Sequence, residues 1–129
     1  MKKILSLEFD GVIHDYSAHE WIAAHIVSGA PVPGALAFIQ EALKTFRVMI
    51  FSARSHQEGG IRAMQIWLRE QAYTNAKHLD TPDLGWLLDV EWPVQKPPAF
   101  LTIDDRAIMF TGTWPAIADL VAFKPWNRL

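Results

Sequence analysis

Apolar and polar positions alternate through Lys3 to Phe9, with Leu5, Leu7 and Phe9 on one side and Ile4, Ser6 and Glu8 on the other. Both sides stay largely apolar until Glu8, the pattern of a parallel strand buried on both faces. From Ala35 the period changes. Leu36, Ile39, Leu43 and Phe46 recur at spacings of three and four, which predicts a helix over 35–46 with one buried stripe. The breaker Pro31-Val-Pro33-Gly34 precedes it, and the apolar run Arg47 to Ser52 after it reads as a second buried strand. Ser55 with Glu58 fits a capping box, and Ile61, Met64, Trp67 and Leu68 give the following helix its stripe to about Ala72.

Beyond that the pattern weakens. A short helix at 82–88 and a strand at Val90 to Trp92 are expected before the loop holding Lys96, Pro97 and Pro98. Ala99 to Ile103 is a third clear strand, Ile108 to Phe110 a short edge strand, and Pro115 opens a last short helix. Residues 12–33 form an insert, with a short helix expected around 18–28 and a role as a local flap. Strands separated by helical patterns predict right-handed crossovers and a central parallel sheet covered on both faces. The fold class is therefore α/β, a Rossmann-like three-layer sandwich. The Lys3 to Phe9 strand is expected at its centre, flanked by the other two.

Composition narrows the function. Half of the 129 residues are hydrophobic, enough for one domain with one core, and the helices and strands just assigned use up the chain between the strands, so no large cap-like inserted domain is expected. The formal charge of −2 is spread along the chain, which argues against non-specific nucleic-acid binding. No cysteine is present, so thiolate metal sites and a cysteine nucleophile are excluded. Two lysines and an apolar stretch open the chain, but Glu8 and Asp10 interrupt any signal-like run, and a cytoplasmic protein without membrane contact is expected.

The chemistry sits where strands end: Glu8 and Asp10, then Ser52, then Lys96, then Asp104 and Asp105. In open parallel sheets ligands bind beyond the carboxyl ends of strands, so these points are expected in one crevice. Carboxylates gathered there call for a hard cation such as Mg²⁺, and a lysine and a hydroxyl beside it suit a phosphoryl group. His19, Glu20 and His25 do not make a zinc-protease helix, which needs histidines four apart. His14 is a candidate for lining the site, His56 and His78 read as surface, and Trp114 and Trp126 as packing for the tail.

The segments LSLEFDGVI, FSAR, KPPAF and LTIDDR resemble, in this order, the four motifs of the haloacid dehalogenase (HAD) superfamily, over residues 3–106. The resemblance implies a Mg²⁺-dependent phosphatase acting on a phosphorylated small molecule or a phosphorylated macromolecule end. It implies a nucleophile at position 8 that forms an acyl phosphate, and Asp10 as general acid/base. Ser52 and Lys96 would bind and neutralise the phosphoryl group, with Gly11, Ala53 and Arg54 lining the substrate. Glu8, Asp10, Asp104 and Asp105 would hold the metal. The family has aspartate where this chain has Glu8, so a binding protein for a phosphorylated ligand or partner stands as the alternative to a hydrolase. A response-regulator receiver or a Toprim nuclease would carry its acidic residues in another order. Oligomerisation is left open.

Overall fold

The computed structural model describes residues 1–16 and 21–128. Strand β1 (Ile4–Leu7) lies between β4 (Arg47–Ile50) and β5 (Leu101–Ile103) in one parallel three-stranded sheet. Its register sets Leu7 beside both Ile50 and Ile103, so all three strands end at the same level. The central position of β1 follows from its composition: Leu5, Ser6 and Leu7 are all buried. Val48, Met49 and Ile50 are buried too.

Helix α1 (Ala35–Ala42) buries Leu36 and Ile39 as the stripe requires, but stops four residues short of the expected end. Leu43 and Phe46 still pack on the core from the turn that follows. Helix α2 (Gly60–Ala76) carries Met64, Trp67, Leu68 and Ala72 into the core and runs past its expected end. The capping box does not form. Ser55 Oγ instead accepts the Ser52 N–H at 3.0 Å, which ties the strand end to its loop. The helix begins after Gly59, with no side-chain cap.

Several weaker expectations are corrected. The helix at 82–88 is a 3₁₀ turn over Gly85–Asp89. The strand at Val90 to Trp92 contracts to a single bridge between Glu91 and Met49. Residues 108–110 form no strand, and the last helix, α3 (Ile117–Val121), starts after Pro115 and Ala116. The sheet is not covered along its whole width: every residue of β5 is exposed. The apolar side chains beyond it, Ile108, Met109, Phe110, Trp114 and Val121, are exposed as well. No helix among the described residues is long and apolar enough to cross a membrane.

The insert is a small antiparallel flap. Strands β2 (His14–Asp15) and β3 (Ala30–Pro31) pair, so the proline of the breaker lies opposite His14. Residues 21–28 between them are not helical, and His19, Glu20 and the start of the helix expected at 18–28 lie outside the described residues.

Candidate active site

The ends of β1, β4 and β5 open on a cavity of about 430 Å³ whose lining includes Glu8, Asp10, Ser52, Ala53, Arg54, Asp104 and Asp105. Seven residues from three chain segments that the motifs placed together are thus together in space. Two are not among the lining residues. Lys96 is exposed on the loop before β5 and does not line this cavity. Gly11 is buried beneath it, its N–H donating to the His14 carbonyl at 2.8 Å, so it has no amide free for a substrate.

Gly11 has a different part. Its φ of +86° lies in the left-handed region, and an added Cβ would fall 2.0 Å from Asp105 Oδ2. A glycine therefore lets the Asp105 carboxylate settle directly on the first loop. The Gly11 carbonyl accepts the Trp126 indole N–H at 2.7 Å, which brings the C-terminal turn Trp126–Arg128 over the same loop. Trp126 thus packs the tail down as expected, whereas Trp114 is 82% exposed and pairs only with Phe110 among the ring contacts. His56 and His78 are exposed.

Asp10 is held more tightly than a general acid would be. Arg54 Nε donates to its Oδ2 at 2.8 Å, and Arg54 Nη2 to its Oδ1 at 3.1 Å. His14 Nδ1 lies 2.8 Å from the same Oδ1. The Gly29 N–H donates to His14 Nε2 at 2.8 Å, which makes Nε2 the acceptor and places the ring proton on Nδ1, facing Asp10. Gly29 can come this close because it lacks a Cβ, which would lie 2.2 Å from the Asp15 carbonyl and 2.6 Å from His14 Nε2. The imidazole stacks on Phe9 and meets Trp67 edge-on, so packing fixes its plane. Burial alone would raise the Asp10 carboxyl, but the hydrogen bonds from His14 and Arg54 outweigh it and hold it below the usual carboxylate range.

Arg54 is itself buried, and all three of its guanidinium nitrogens are engaged. Its Nη1 donates to the carbonyls of Ala23, Ala24 and Ile26 at 3.2, 3.0 and 2.9 Å. The side chain assigned to substrate by the motif is thus a brace between Asp10 and the flap. It also lies under the Trp21 ring, 4.4 Å from the centroid.

Glu8 is the carboxyl whose protonation is poised near neutrality. Burial pushes it up from 4.5 to about 7, against the hydrogen bonds it accepts from the Phe9 N–H and the Ser52 hydroxyl, and the charges of Asp104 and Asp10 push the same way. The Phe9 N–H contact is 2.9 Å long, so the side chain curls back on its own strand end. Ser52 Oγ accepts the Arg54 N–H at 3.2 Å while serving Glu8, an arrangement that fixes its hydroxyl.

Asp104 turns the chain at the end of β5, its Oδ1 accepting the Arg106 N–H at 2.9 Å. Burial raises the Asp105 carboxyl, helped by the charge of Asp104. Its Oδ2 is buried with no hydrogen-bond partner. Among the described residues no three His, Asp or Glu side chains form a ready-made metal cluster. Mg²⁺ commonly takes one or two carboxylates and completes its octahedron with water and ligand phosphate. An orphaned carboxylate oxygen of Asp105 beside the Asp104 carboxyl fits that mode.

Tyr16 and Trp21, from the segment expected to form the flap, both line the cavity, whereas sequence reasoning missed two cationic lining residues, Arg106 and Arg128. Arg106 follows the acidic pair directly and was within reach of the motif. Nothing in the local pattern marks Arg128, which arrives only because Trp126 docks on Gly11. In comparison with family models, curated proteins and solved structures, the chain matches none, so its functional reading rests on the site itself.

Proposed function

We propose that the protein is a HAD-like, Mg²⁺-dependent phosphohydrolase with a Rossmann-like core, acting on a phosphate monoester. The observation that carries this reading is the convergence of Glu8, Asp10, Ser52 and Asp104 on one cavity at the carboxyl ends of three parallel strands. In this reading a Glu8 carboxylate oxygen attacks phosphorus, the P–O bond to the leaving group breaks and the departing oxygen takes its proton from water; a second water, giving a proton to Asp10, then cleaves the acyl phosphate, releasing inorganic phosphate and the Glu8 carboxylate. Ser52 orients Glu8 by its hydroxyl.

Asp10 has four acceptor positions and three known donors, so one position is left to receive a proton from water in the second step. Its lowered pKa keeps it ionised, so it is free to accept that proton although a weak base, and does not suit proton donation in the first step. Glu8, Asp104 and Asp105 would hold Mg²⁺, which when bound supplies charge neutralisation at the phosphoryl oxygens.

A second reading, a protein that binds a phosphorylated ligand without turning it over, is favoured by two specific observations: the locked Asp10 and the position of Lys96 away from the cavity. Phosphate release from a panel of monoesters, with Mg²⁺ and with chelator, separates the two. Metal-dependent release abolished by Glu8→Gln supports the hydrolase. Metal-dependent binding of the same esters without release supports the binder, and neither binding nor release sinks both.

A further inference from the structure

The cavity has two unlike sides. At its floor are the carboxyls and Ser52, while one wall is built by Trp21, Ile22 and Ile26, all of them exposed to solvent. Apolar side chains in that number beside a charged floor are more than a phosphate alone requires. The wall is also held in place by the site itself. The Arg54 guanidinium that grips Asp10 also binds the carbonyls of Ala23, Ala24 and Ile26 and underlies Trp21, so the indole is set at a fixed position relative to the carboxylate floor. Trp21 nevertheless remains 53% exposed.

The lining also carries cations. Arg106 and Arg128 both line the cavity and both reach Tyr16: Arg106 Nη2 lies 3.4 Å from the Tyr16 hydroxyl, and the Arg128 guanidinium carbon 5.2 Å from the ring centroid. With Arg54 engaged by Asp10 and Lys96 outside the lining, Arg106 and Arg128 bring positive charge to the cavity.

From these features we infer that the site takes a phosphate monoester whose esterified group is planar and aromatic, as in a nucleotide or an aryl phosphate, with its phosphate over the floor beside Glu8 and Ser52 and its ring on Trp21. This rests on the phosphate-ester reading above and adds the nature of the ester group. Stacking of a nucleobase on an aromatic side chain changes affinity by about tenfold or more. A volume of about 430 Å³ lies within the usual range for small-molecule sites, so a mononucleotide-sized group can be accommodated.

The test is calorimetric titration of the full chain, with Mg²⁺, by adenosine 5′-monophosphate, phenyl phosphate, glycerol phosphate and inorganic phosphate. The aromatic esters should bind about tenfold more tightly than glycerol phosphate. Trp21→Ala should erase that preference while leaving affinity for inorganic phosphate within about twofold, and Trp21→Phe should restore most of it. A 5′-phosphorylated oligonucleotide in parallel distinguishes a free nucleotide from a nucleic-acid end, since only the latter gains from added residues. Equal binding of aromatic and glycerol esters overturns the inference and leaves the phosphate reading standing. Binding by no phosphate compound overturns that reading and the inference with it. Retention of the aromatic preference in folded Trp21→Ala removes Trp21 as its source and overturns the assignment.

Discussion

Replacing Glu8 by glutamine should make the apo protein more stable at alkaline pH and leave it unchanged in acid. In the folded chain the carboxyl titrates at about 7 against 4.5 in its ordinary state, chiefly because burial disfavours its charge. Between those values the folded state holds a proton that the unfolded state has released, so stability falls as pH rises from about 4.5 through about 7. The full shift would correspond to about 3.4 kcal/mol, and partial exposure of the carboxyl reduces this to on the order of 1–2 kcal/mol. Glutamine keeps the shape and removes the titration. At about pH 8, Glu8→Gln should melt roughly 4–8 °C above wild type, while at about pH 4, below the ordinary carboxyl value, the two should coincide. Differential scanning calorimetry at both pH values reads this directly, and taking the difference between variants cancels groups that titrate in both. Asp105, raised for the same reason, acts with the same sign at lower pH, and Asp10, held below its usual range, acts oppositely and only in stronger acid. Mg²⁺ should close the gap at about pH 8 by favouring ionised Glu8. Equal stability at both pH values, or a variant less stable than wild type in alkali without metal, would refute the reasoning.

Arg54→Ala leaves Asp10 buried without its charge partner and releases three flap carbonyls, so a loss of about 3–5 kcal/mol and a fall in Tm beyond about 10 °C are expected by thermal melting. Gly11→Ala should cost at least about 1–3 kcal/mol, because the new Cβ meets the Asp105 carboxylate at a strained φ; an unchanged melting curve would contradict the packing. Asp104→Asn should weaken Mg²⁺ binding in calorimetry more than Lys96→Ala does, and equal effects would move the metal elsewhere. Glu8→Asp withdraws the attacking oxygen by about 1 Å and, in the hydrolase reading, should raise turnover of an aryl phosphate at least about tenfold. A flat rate would mean that the strand end already accommodates glutamate.

Where burial is regular, the chain pattern carried the fold. The strands ending at Ile50 and Ile103 flank the Lys3 to Phe9 segment because its two faces are apolar, and the common strand ends bring the acidic motifs to one cavity. Local signals failed where tertiary partners competed. Ser55 looks like a helix cap, yet its hydroxyl serves the Ser52 amide, and the backbone turns at Gly59 before α2 starts. Pro31 reads as a breaker but pairs across from His14, since a two-residue strand tolerates a proline. Lys96 was chosen for its order in the chain, and order alone does not specify which way a proline-flanked loop faces.

Arg54 shows why a site residue's role cannot be assigned from its motif position alone. Beside a strand end an arginine is naturally read as a hand extended to phosphate. Here its nitrogens are used on Asp10 and on three carbonyls of the flap, and a buried guanidinium so placed cannot leave without stranding the Asp10 charge. The same bonds that fix Asp10 as a carboxylate therefore fix the flap, and the acid-base character of the floor is tied to the closure of the wall. Loosening the flap would free Arg54 to move and would let the Asp10 carboxyl rise toward its ordinary value. Residues 21–26 are thus linked through Arg54 to the ionisation of Asp10, and a substitution that moves those carbonyls would shift the Asp10 carboxyl without touching any carboxylate.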